Sequence, residues 1–384
     1  MFCRVALLFD TSFAFDRAII RGIAKFILFN RSWILFRQSP YERWQNSQMP
    51  LKEQLIKWKP DGIIARETDN INDLFDLNIP LIVSPVSEPF PDYTNIVSDN
   101  FAIGAIAAEY FINKGYTNFG YCGLENYKWV KERYEGFYSK INKSEHKFLK
   151  YKRQNIKEEG NWENEQQAIS VWLTFLPKPF ALLCCTDEVA YQVVQAAKLV
   201  NILIPEEIAV IGVDNDEFIC NICNPQLSSI DQNAELLGYE AAKKLQELMS
   251  GIANENAIIL VPPKNIITRR SSNILAVEDR NLQKALNYIA SNTTTKIIKV
   301  DEVVASTYLS RRTLENRFQT ILKRSIKGEI IRMKIETIKQ ILGDKQFNIS
   351  EVASVSGFPS TDSFCHYFKE HTGITPGTYR EKIL

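Results

Sequence analysis

A chain of 384 residues, 45% of them hydrophobic, has enough apolar side chains for the cores of two or three domains. It contains no run of about 18 uncharged apolar residues, which excludes an apolar membrane-spanning helix. Its first ten residues, MFCRVALLFD, are not those of a signal peptide. We therefore expect a soluble, cytoplasmic protein with no membrane contact, in which the seven cysteines are free thiols.

The formal net charge of +1 conceals a difference between two parts of the chain. From Ala276 onward there are 17 Lys and Arg residues against 12 Asp and Glu residues, a net charge of +5, whereas the preceding residues carry −4. A basic C-terminal part beside an acidic body suits contact with a polyanion through the C-terminal part alone.

Short apolar runs alternate with longer amphipathic segments through the first 275 residues. The runs predict strands, and the helical spacing of apolar residues in the segments predicts helices. Buried strands separated by helices are typical of doubly wound parallel sheets, and the length favours two sheets over one. The predicted strands are Arg4–Phe9, Trp33–Phe36, Gly62–Ala65, Leu81–Val83, Asn118–Cys122, Ala181–Cys185 and Ala209–Val213, and the predicted helices are Arg17–Leu28, Leu51–Trp58, Phe101–Lys114, Trp129–Ile141 and Val189–Leu199.

A helix-turn-helix pattern follows at Val300–Phe318, where two apolar stripes are separated by a turn and Ser310 stands at the N-cap position of the second helix. The amphipathic run Ile326–Leu342 is long enough to be one connecting helix. Arginine and asparagine are residue types that pair with base edges in the major groove. The side chains expected to face outward from the second helix are Arg311, Arg312, Glu315 and Asn316.

The same pattern recurs at Ile349–Arg380. Ser350 and Ser360 stand where N-caps are expected, and Gly357 can take the positive φ that ends one helix before the next begins. Two such units on a common helix could reach successive major-groove segments about 34 Å apart. The short polar side chains on the outer face of the second helix are Thr361, Asp362, Ser363 and His366.

The C-terminal pattern, with GFPSTDSFCHYFK followed by GITPGTYR, resembles the AraC-type DNA-binding domain over about Leu282–Lys382. The resemblance implies that the outward side chains of both units contact bases, although Asn316 and His366 stand where many members have arginine. The residues that carry the resemblance are Gly357, Phe358, Phe364, Phe368, Lys369, Gly373, Thr375, Pro376, Tyr379 and Arg380.

Motifs in the body are similar to those of the periplasmic-binding-protein-like sensor of LacI-type repressors, without a helix-turn-helix before the first strand. Such a sensor joined to a C-terminal AraC-type domain resembles the XylR-type xylose operon regulators over essentially the whole chain. The motifs include Asp61–Ile64, Val97–Asn100, Asn118–Gly123, Cys185–Glu188, Ile211–Asp214 and Leu227–Ile230.

A sugar site in such a sensor would lie on loops at the carboxyl ends of the strands, in the crevice between the lobes. A monosaccharide offers apolar ring faces and a belt of hydroxyls, so its site needs an aromatic plate with charged or amide groups. The strongest candidates are Arg17, Arg133 and Asp214. The full set of candidate ligand-binding residues is Phe13, Phe15, Asp16, Arg17, Trp129, Arg133, Asp187, Asp214 and Asp216.

Several of these candidates also have a purely structural interpretation. Asp16 could cap a helix, Arg133 could be an exposed helix arginine, and Trp129 could pack on the surface of its helix. Asp214 is harder to explain in this way, because an acidic residue directly after an apolar strand is costly to bury without a partner.

Motifs for metal binding or catalysis are missing. Cys220 and Cys223 have CxxC spacing, but no second pair or histidine stands at zinc-ligand spacing, so we expect no metal. The sequence lacks the P-loop, GxGxxG, HExxH and GxSxG motifs, and we expect no cofactor and no catalytic residue. Carboxylates in the cleft leave a sugar-processing enzyme as an alternative.

Together these observations predict an α/β two-lobed, doubly wound periplasmic-binding-protein-like sensor in residues 1–275 and an all-α domain with two helix-turn-helix units in residues 276–384. The lobes would be roughly 1–100 plus 231–260 and 101–230 plus 261–275. The resemblance implies a D-xylose-binding activator of pentose-utilisation genes, acting as a homodimer on double-stranded operator half-sites and able to contact RNA polymerase. A regulator that senses another monosaccharide is the alternative.

Overall fold

The computed structural model describes residues 2–30, 33–37, 49–124, 127–141, 146–153, 161–252, 257–274, 279–293, 295–322, 324–343 and 347–383. The chain divides into two compact units, Met1–Ile274 and Leu275–Leu384. Among the described residues, no helix has the length and apolar character needed to cross a membrane.

The first unit contains two sheets, each six-stranded in the part of the chain that the structure describes. The first sheet has the order β11-β5-β4-β3-β1-β2 and is parallel throughout. The second has the order β12-β10-β9-β8-β6-β7, in which only the β10–β12 pair is antiparallel. The strands are β1 Cys3–Leu8, β2 Trp33–Arg37, β3 Gly62–Arg66, β4 Leu81–Ser84, β5 Thr94–Ser98, β6 Asn118–Leu124, β7 Lys147–Arg153, β8 Phe180–Cys184, β9 Ile208–Val213, β10 Ser228–Asp231, β11 Ile258–Val261 and β12 Asn265–Ile267.

Helices cover these sheets, as doubly wound topology requires. One face of the first sheet packs on α1 and α9, and the other on α2 and α3. The helices are α1 Ala14–Asn30, α2 Leu51–Trp58, α3 Asn72–Phe75, α4 Asn100–Asn113, α5 Lys128–Ile141, α6 Asn161–Thr174, α7 Asp187–Leu199, α8 Glu217–Ile222 and α9 Ala234–Met249, followed by a 3₁₀ turn at Arg270–Ser272.

Glycines allow one close helix pair in each lobe. A Cβ added to Gly22 of α1 would lie 1.8 Å from the carbonyl oxygen of Glu235 in α9. In the second lobe, a Cβ on Gly104 of α4 would lie 2.0 Å from the carbonyl oxygen of Arg133 in α5. Only glycine permits these separations, and the second pair brings the backbone of Arg133 against α4.

Three described segments connect the lobes: the step from β5 into α4, the step from β10 into α9, and the step from β11 to β12. In the first of these, Asp99 caps α4 by accepting a hydrogen bond from the backbone N–H of Ala102 at 2.8 Å. Asn100 and Gln232 therefore stand at crossings between the lobes, beside the crevice that the strand ends surround.

The second unit is helical, and it contains two helix-turn-helix pairs joined by α13. The first pair is α11–α12 and the second is α14–α15. Its helices are α10 Arg280–Asn292, α11 Val300–Ala305, α12 Arg311–Arg317, α13 Ile326–Leu342, α14 Ile349–Val355, α15 Thr361–Thr372 and α16 Pro376–Ile383, with a π-helical turn at Phe318–Leu322 after α12. Two doubly wound lobes and two helix-turn-helix units confirm the predicted fold class.

The helix caps of the second unit agree with the sequence at three positions and disagree at one. Ser310 and Ser360 cap α12 and α15, and Gly357 has a φ of +72°. Ser350, in contrast, does not cap α14. Asn348 does so, because its side chain accepts from the N–H of Glu351 at 2.9 Å while Glu351 accepts from the N–H of Asn348 at 2.7 Å.

Candidate functional site

Asp16 lies in the first turn of α1 and is fully buried. Its Oδ1 accepts a hydrogen bond from Arg66 Nη1 at 2.5 Å, and its Oδ2 accepts from the backbone N–H of Asp10 at 2.9 Å. Burial raises the pKa of Asp16, while the guanidinium of Arg66 opposes that shift. Asp16 is therefore the buried member of an ion pair whose other member, Arg66, is partly exposed.

Arg66 was missed by the sequence analysis. It is the last residue of β3, and its guanidinium lies 5.1 Å from the ring centre of Phe13 and 5.8 Å from that of Phe15. Phe13 is 52% exposed, so part of its ring remains available for contact. The signal for Arg66 was a charged residue directly after an apolar strand, the same signal that favoured Asp214.

Arg17 joins the two lobes. Its Nη1 donates to the carbonyl oxygens of Thr11 at 2.9 Å and Ser12 at 2.7 Å, while its Nη2 donates to Asp216 Oδ2 at 2.8 Å. Asp216 also caps α8 by accepting from the N–H of Phe218. The side chain of Arg17 is 37% exposed and that of Asp216 is 14% exposed, so the pair lies at the accessible edge of the cleft.

Arg133, on α5, is buried and 4% exposed, so it is not an exposed helix arginine. Its Nε donates to Asn100 Oδ1 at 2.9 Å, its Nη1 to the carbonyl of Cys185 at 2.5 Å, and its Nη2 to Gln232 Oε1 at 2.8 Å. The ring of Trp129 lies 4.7 Å from the guanidinium. Arg133 thus holds residues from two of the crossings between the lobes.

Asp214 follows β9 with a φ of +116° and accepts a hydrogen bond from the side-chain amide of Gln232. Burial raises the pKa of Asp214 to about 6, against the opposing charge of Arg133. Its carboxylate is thereby linked through Gln232 to Arg133, which supplies the partner that an acid after an apolar strand requires.

Asp187 has a supporting position. Its Oδ2 accepts from the backbone N–H of Asp216 at 2.8 Å, and its Oδ1 lies against the backbone of Gly212. Burial and the nearby charge of Asp214 raise the pKa of Asp187. Asp187 therefore positions the loop that carries Asp216.

The structure assembles the predicted residues into two groups, one on each lobe. Arg17 and Asp216 link the first group, at the ends of β1 and β3, to the second, at the ends of β6, β8 and β9. Arg66, Asn100 and Gln232 were not among the residues predicted from the sequence. The first group contains Phe13, Phe15, Asp16, Arg17 and Arg66, and the second contains Trp129, Arg133, Asp187, Asp214 and Asp216.

The first helix-turn-helix unit exposes all four predicted base-contacting residues of α12, which are Arg311, Arg312, Glu315 and Asn316. Arg311 is already paired, because its guanidinium contacts Asp301 at 3.1 Å and Glu315 at 2.9 Å. In the described part of the chain Arg312 makes no ion pair. Arg312 therefore has its donors available for a base edge.

In the second helix-turn-helix unit, Asp362 and His366 are exposed on α15, whereas Thr361 and Ser363 are partly buried. The Ser363 hydroxyl accepts from the backbone N–H of Ser360 at 3.3 Å and so completes the helix cap. The Thr361 hydroxyl donates to that of Ser350 at 3.2 Å. The two hydroxyls thus also stabilise the turn.

Cys220 and Cys223 are both buried free thiols, and Cys220 contacts Asp187 at 3.5 Å. Within the described ranges no group of three or more His, Cys, Asp or Glu side chains could hold a metal ion.

Comparison with known proteins gives two domain matches. A periplasmic binding protein-like domain matches residues 108–272, and a helix-turn-helix domain matches residues 303–382. The xylose operon regulatory protein of Escherichia coli strain K12 is 29% identical over 388 residues, which cover 98% of this chain and 97% of that protein. Over its full length this chain is homologous to the xylose operon regulators.

Two further relatives have the same full-length arrangement. The xylose operon regulatory protein of Haemophilus influenzae is 29% identical over 387 residues, covering 98% of both chains. The solved structure of the xylose-binding transcription activator xylR has a TM-score of 0.81 and 28% identity, covering 99% of this chain and 98% of that one. The XylR-type architecture confirms transcription regulation through a DNA-binding helix-turn-helix domain.

Proposed function

We propose that this XylR-type regulator binds D-xylose in the cleft between its lobes and, when sugar-bound, activates pentose-utilisation genes. The observation that carries the proposal is the Arg17–Asp216 ion pair, which joins two polar and aromatic groups across the cleft. The relatives support the choice of sugar and direction, since one is described as a xylose-binding activator and others as xylose operon regulators.

The accessible edge of the cleft offers a sugar both hydrogen-bond donors and hydrogen-bond acceptors. Arg17 and Arg66 supply N–H donors, Asp214 and Asp216 supply carboxylate oxygens, and the exposed ring of Phe13 supplies an apolar plate. A ligand that contacts both lobes favours the closed arrangement. By linkage, the sugar can change DNA affinity only as far as its own affinity differs between the two states, typically about 1–3 kcal/mol.

The operator would be read by α12 and α15, through the exposed residues of α12 and through Thr361, Asp362, Ser363 and His366 of α15. We propose that the regulator acts in the cytoplasm as a homodimer on two half-sites, since closed two-fold symmetry is the commonest assembly for such proteins. Activation would include contact with RNA polymerase.

We also propose that the cleft binds sugar without transforming it. Two of its carboxylates, Asp16 and Asp216, are held by Arg66 and Arg17. A turnover assay on simple sugars and phosphosugars would reveal product if the cleft were instead catalytic.

Calorimetric titration with D-xylose, L-arabinose, D-ribose and D-glucose tests the effector. Arg17→Ala and Asp214→Ala should abolish measurable xylose binding. Arg21→Ala is the matched control, because Arg21 lies one turn further along α1 and its side chain is 62% exposed. Arg21→Ala should bind as the wild type does.

Binding of a different sugar alone would replace xylose as the effector. The absence of heat with all four sugars, from protein folded by circular dichroism, would remove these monosaccharides as effectors and leave DNA binding to be measured separately.

A further inference from the structure

Lys334 occupies an unusual position in the second unit. It lies on α13, the helix that joins the two helix-turn-helix units, and is only 4% exposed. A buried ammonium is costly unless all its donors are used.

All three donors are used by backbone carbonyls. The Nζ of Lys334 donates to the carbonyl oxygens of Thr293, of Ser356 at 2.5 Å and of Lys296 at 3.2 Å. Its ammonium also lies 5.4 Å from the ring centre of Phe358. An ammonium has three N–H groups, so the bonding capacity of Lys334 is filled.

Two of these carbonyls are at helix ends. Thr293 is the C-cap residue of α10, and Ser356 is the C-cap residue of α14. A helix C-terminus carries partial negative charge on its last carbonyls, which a cation stabilises. One ammonium therefore stabilises the C-terminus of α10, which precedes the first helix-turn-helix pair, and the C-terminus of α14, which belongs to the second pair.

The backbones of the two helix-turn-helix units also meet beside Lys334. A Cβ added to Gly357, which follows Ser356, would lie 2.8 Å from the carbonyl oxygen of Thr295. The turn of the second helix-turn-helix unit thus packs against the segment that leads into α11. Any change in the angle between the units would separate the carbonyls that Lys334 holds.

We propose that Lys334 is a positioning residue that fixes the orientation of α12 relative to α15, and so sets the spacing of the two DNA segments that one chain reads. This inference rests on DNA binding by both helix-turn-helix units. Two linked DNA-binding units bind more tightly than one only when the linkage lets both contact their DNA segments at the same time. Lys334 would contribute to that gain without touching DNA.

The test uses the full-length protein and duplexes that it selects from a randomised DNA library. The wild type should select two constrained sequence blocks, one for each unit. Fluorescence anisotropy then gives affinities for the selected duplex, for duplexes with one or two base pairs inserted between the blocks, and for duplexes with one block scrambled.

Lys334→Met should bind the selected duplex about tenfold more weakly than the wild type, since the register of linked readers is lost. When base pairs are inserted between the two blocks, Lys334→Met should lose much less affinity than the wild type. On the duplex with one block scrambled, Lys334→Met and the wild type should bind with equal affinity. Lys334→Arg should keep the wild-type spacing preference, because it keeps a cation whose N–H groups can donate to the same backbone carbonyls.

Lys327→Met is the control, since Lys327 is an exposed residue of the same helix and its loss should leave the spacing preference unchanged. If Lys334→Met does not fold, Lys334→Gln, which keeps two N–H donors, takes its place. An unchanged insertion penalty, or an equal loss on one-block and two-block duplexes, would overturn the inference. A wild type that selects no duplex would overturn DNA reading itself.

Discussion

The sensor cleft and the reading helices both depend on charged side chains, but they hold them in opposite ways. In the cleft, Asp16 and Arg133 are buried and bonded to residues distant in sequence. On α12, Arg311 and Arg312 are exposed, and the partners of Arg311 lie within ten residues. Cleft charges should therefore matter for folding as well as binding, whereas reader charges should matter for DNA binding alone.

The largest expected effect is the loss of Arg66, which would leave the carboxylate of Asp16 buried without its cation. Arg66→Met should lower the free energy of unfolding of the sensor by about 4 kcal/mol. Urea denaturation followed by tryptophan fluorescence measures this unit, because all six tryptophans precede residue 275.

Lys140→Met is the matched control for that experiment. It breaks an ion pair with Glu109 in which both side chains are about half exposed, and it should change stability by less than about 0.5 kcal/mol. Equal effects of the two substitutions would contradict the contrast between buried and exposed charges.

The second effect concerns pH. The pKa of Asp214 is raised to about 6 in the folded protein, above its ordinary value of 3.8, so the folded state binds the proton more tightly. The stability contribution of this group is therefore full below about pH 4 and is lost as the pH rises through about 6.

Asp214→Asn should remove that loss, and its stability relative to the wild type should rise between pH 4 and pH 7 by up to about 3 kcal/mol. Urea titrations at several pH values measure the difference. If the stability difference between Asp214→Asn and the wild type did not change with pH, the carboxylate of Asp214 would not be destabilised by burial.

The third effect separates two adjacent arginines of α12. Arg312→Ala should weaken specific DNA binding by about 2 kcal/mol, because its donors are available for a base edge. Arg311→Ala should cost less, since Arg311 must first give up Asp301 and Glu315. Electrophoretic titration on a selected duplex measures both, and an equal or reversed order would show that the ion pairs do not restrain Arg311.

The smallest effect tests the corrected helix cap. Asn348→Ala should destabilise α14 by about 1 kcal/mol, as the loss of an N-cap does. Ser350→Ala should have less effect, because the Ser350 hydroxyl bonds Thr361 instead of the helix end. Hydrogen exchange of peptides covering Ile349–Val355 compares the two, and faster exchange in Ser350→Ala than in Asn348→Ala would restore the original assignment.

Local features of this chain could be predicted from the sequence. The bounds of Leu51–Trp58 and Ile326–Leu342 agree with the structure, since apolar periodicity defines helices over short distances. Ser350 was a wrong cap because Asn348, with Glu351 three residues later, is a better capping box.

Long-range partners could not be predicted. Arg17 pairs with a residue 199 positions away, and Arg133 bonds one 99 positions away. Strand ends indicate which loops surround the cleft, but nothing local to Arg17 specifies Asp216 as its partner. Gln232 was missed for the same reason, since it has its role only through its contact with Arg133. Arg66 did have a local signal, its place after an apolar strand, but nothing local named Asp16 as its partner.

The Arg17–Asp216 ion pair has a consequence for how much sugar the cell must contain before transcription responds. A hydroxyl that bonds Arg17 competes with a carboxylate already in place. The apparent dissociation constant of the effector therefore includes the strength of that pair, as it does whenever the binding-competent state is only fractionally populated. Substitution of Asp216, which supplies the competing carboxylate, would shift the dose at which induction begins while leaving the operator, and the set of regulated genes, unchanged.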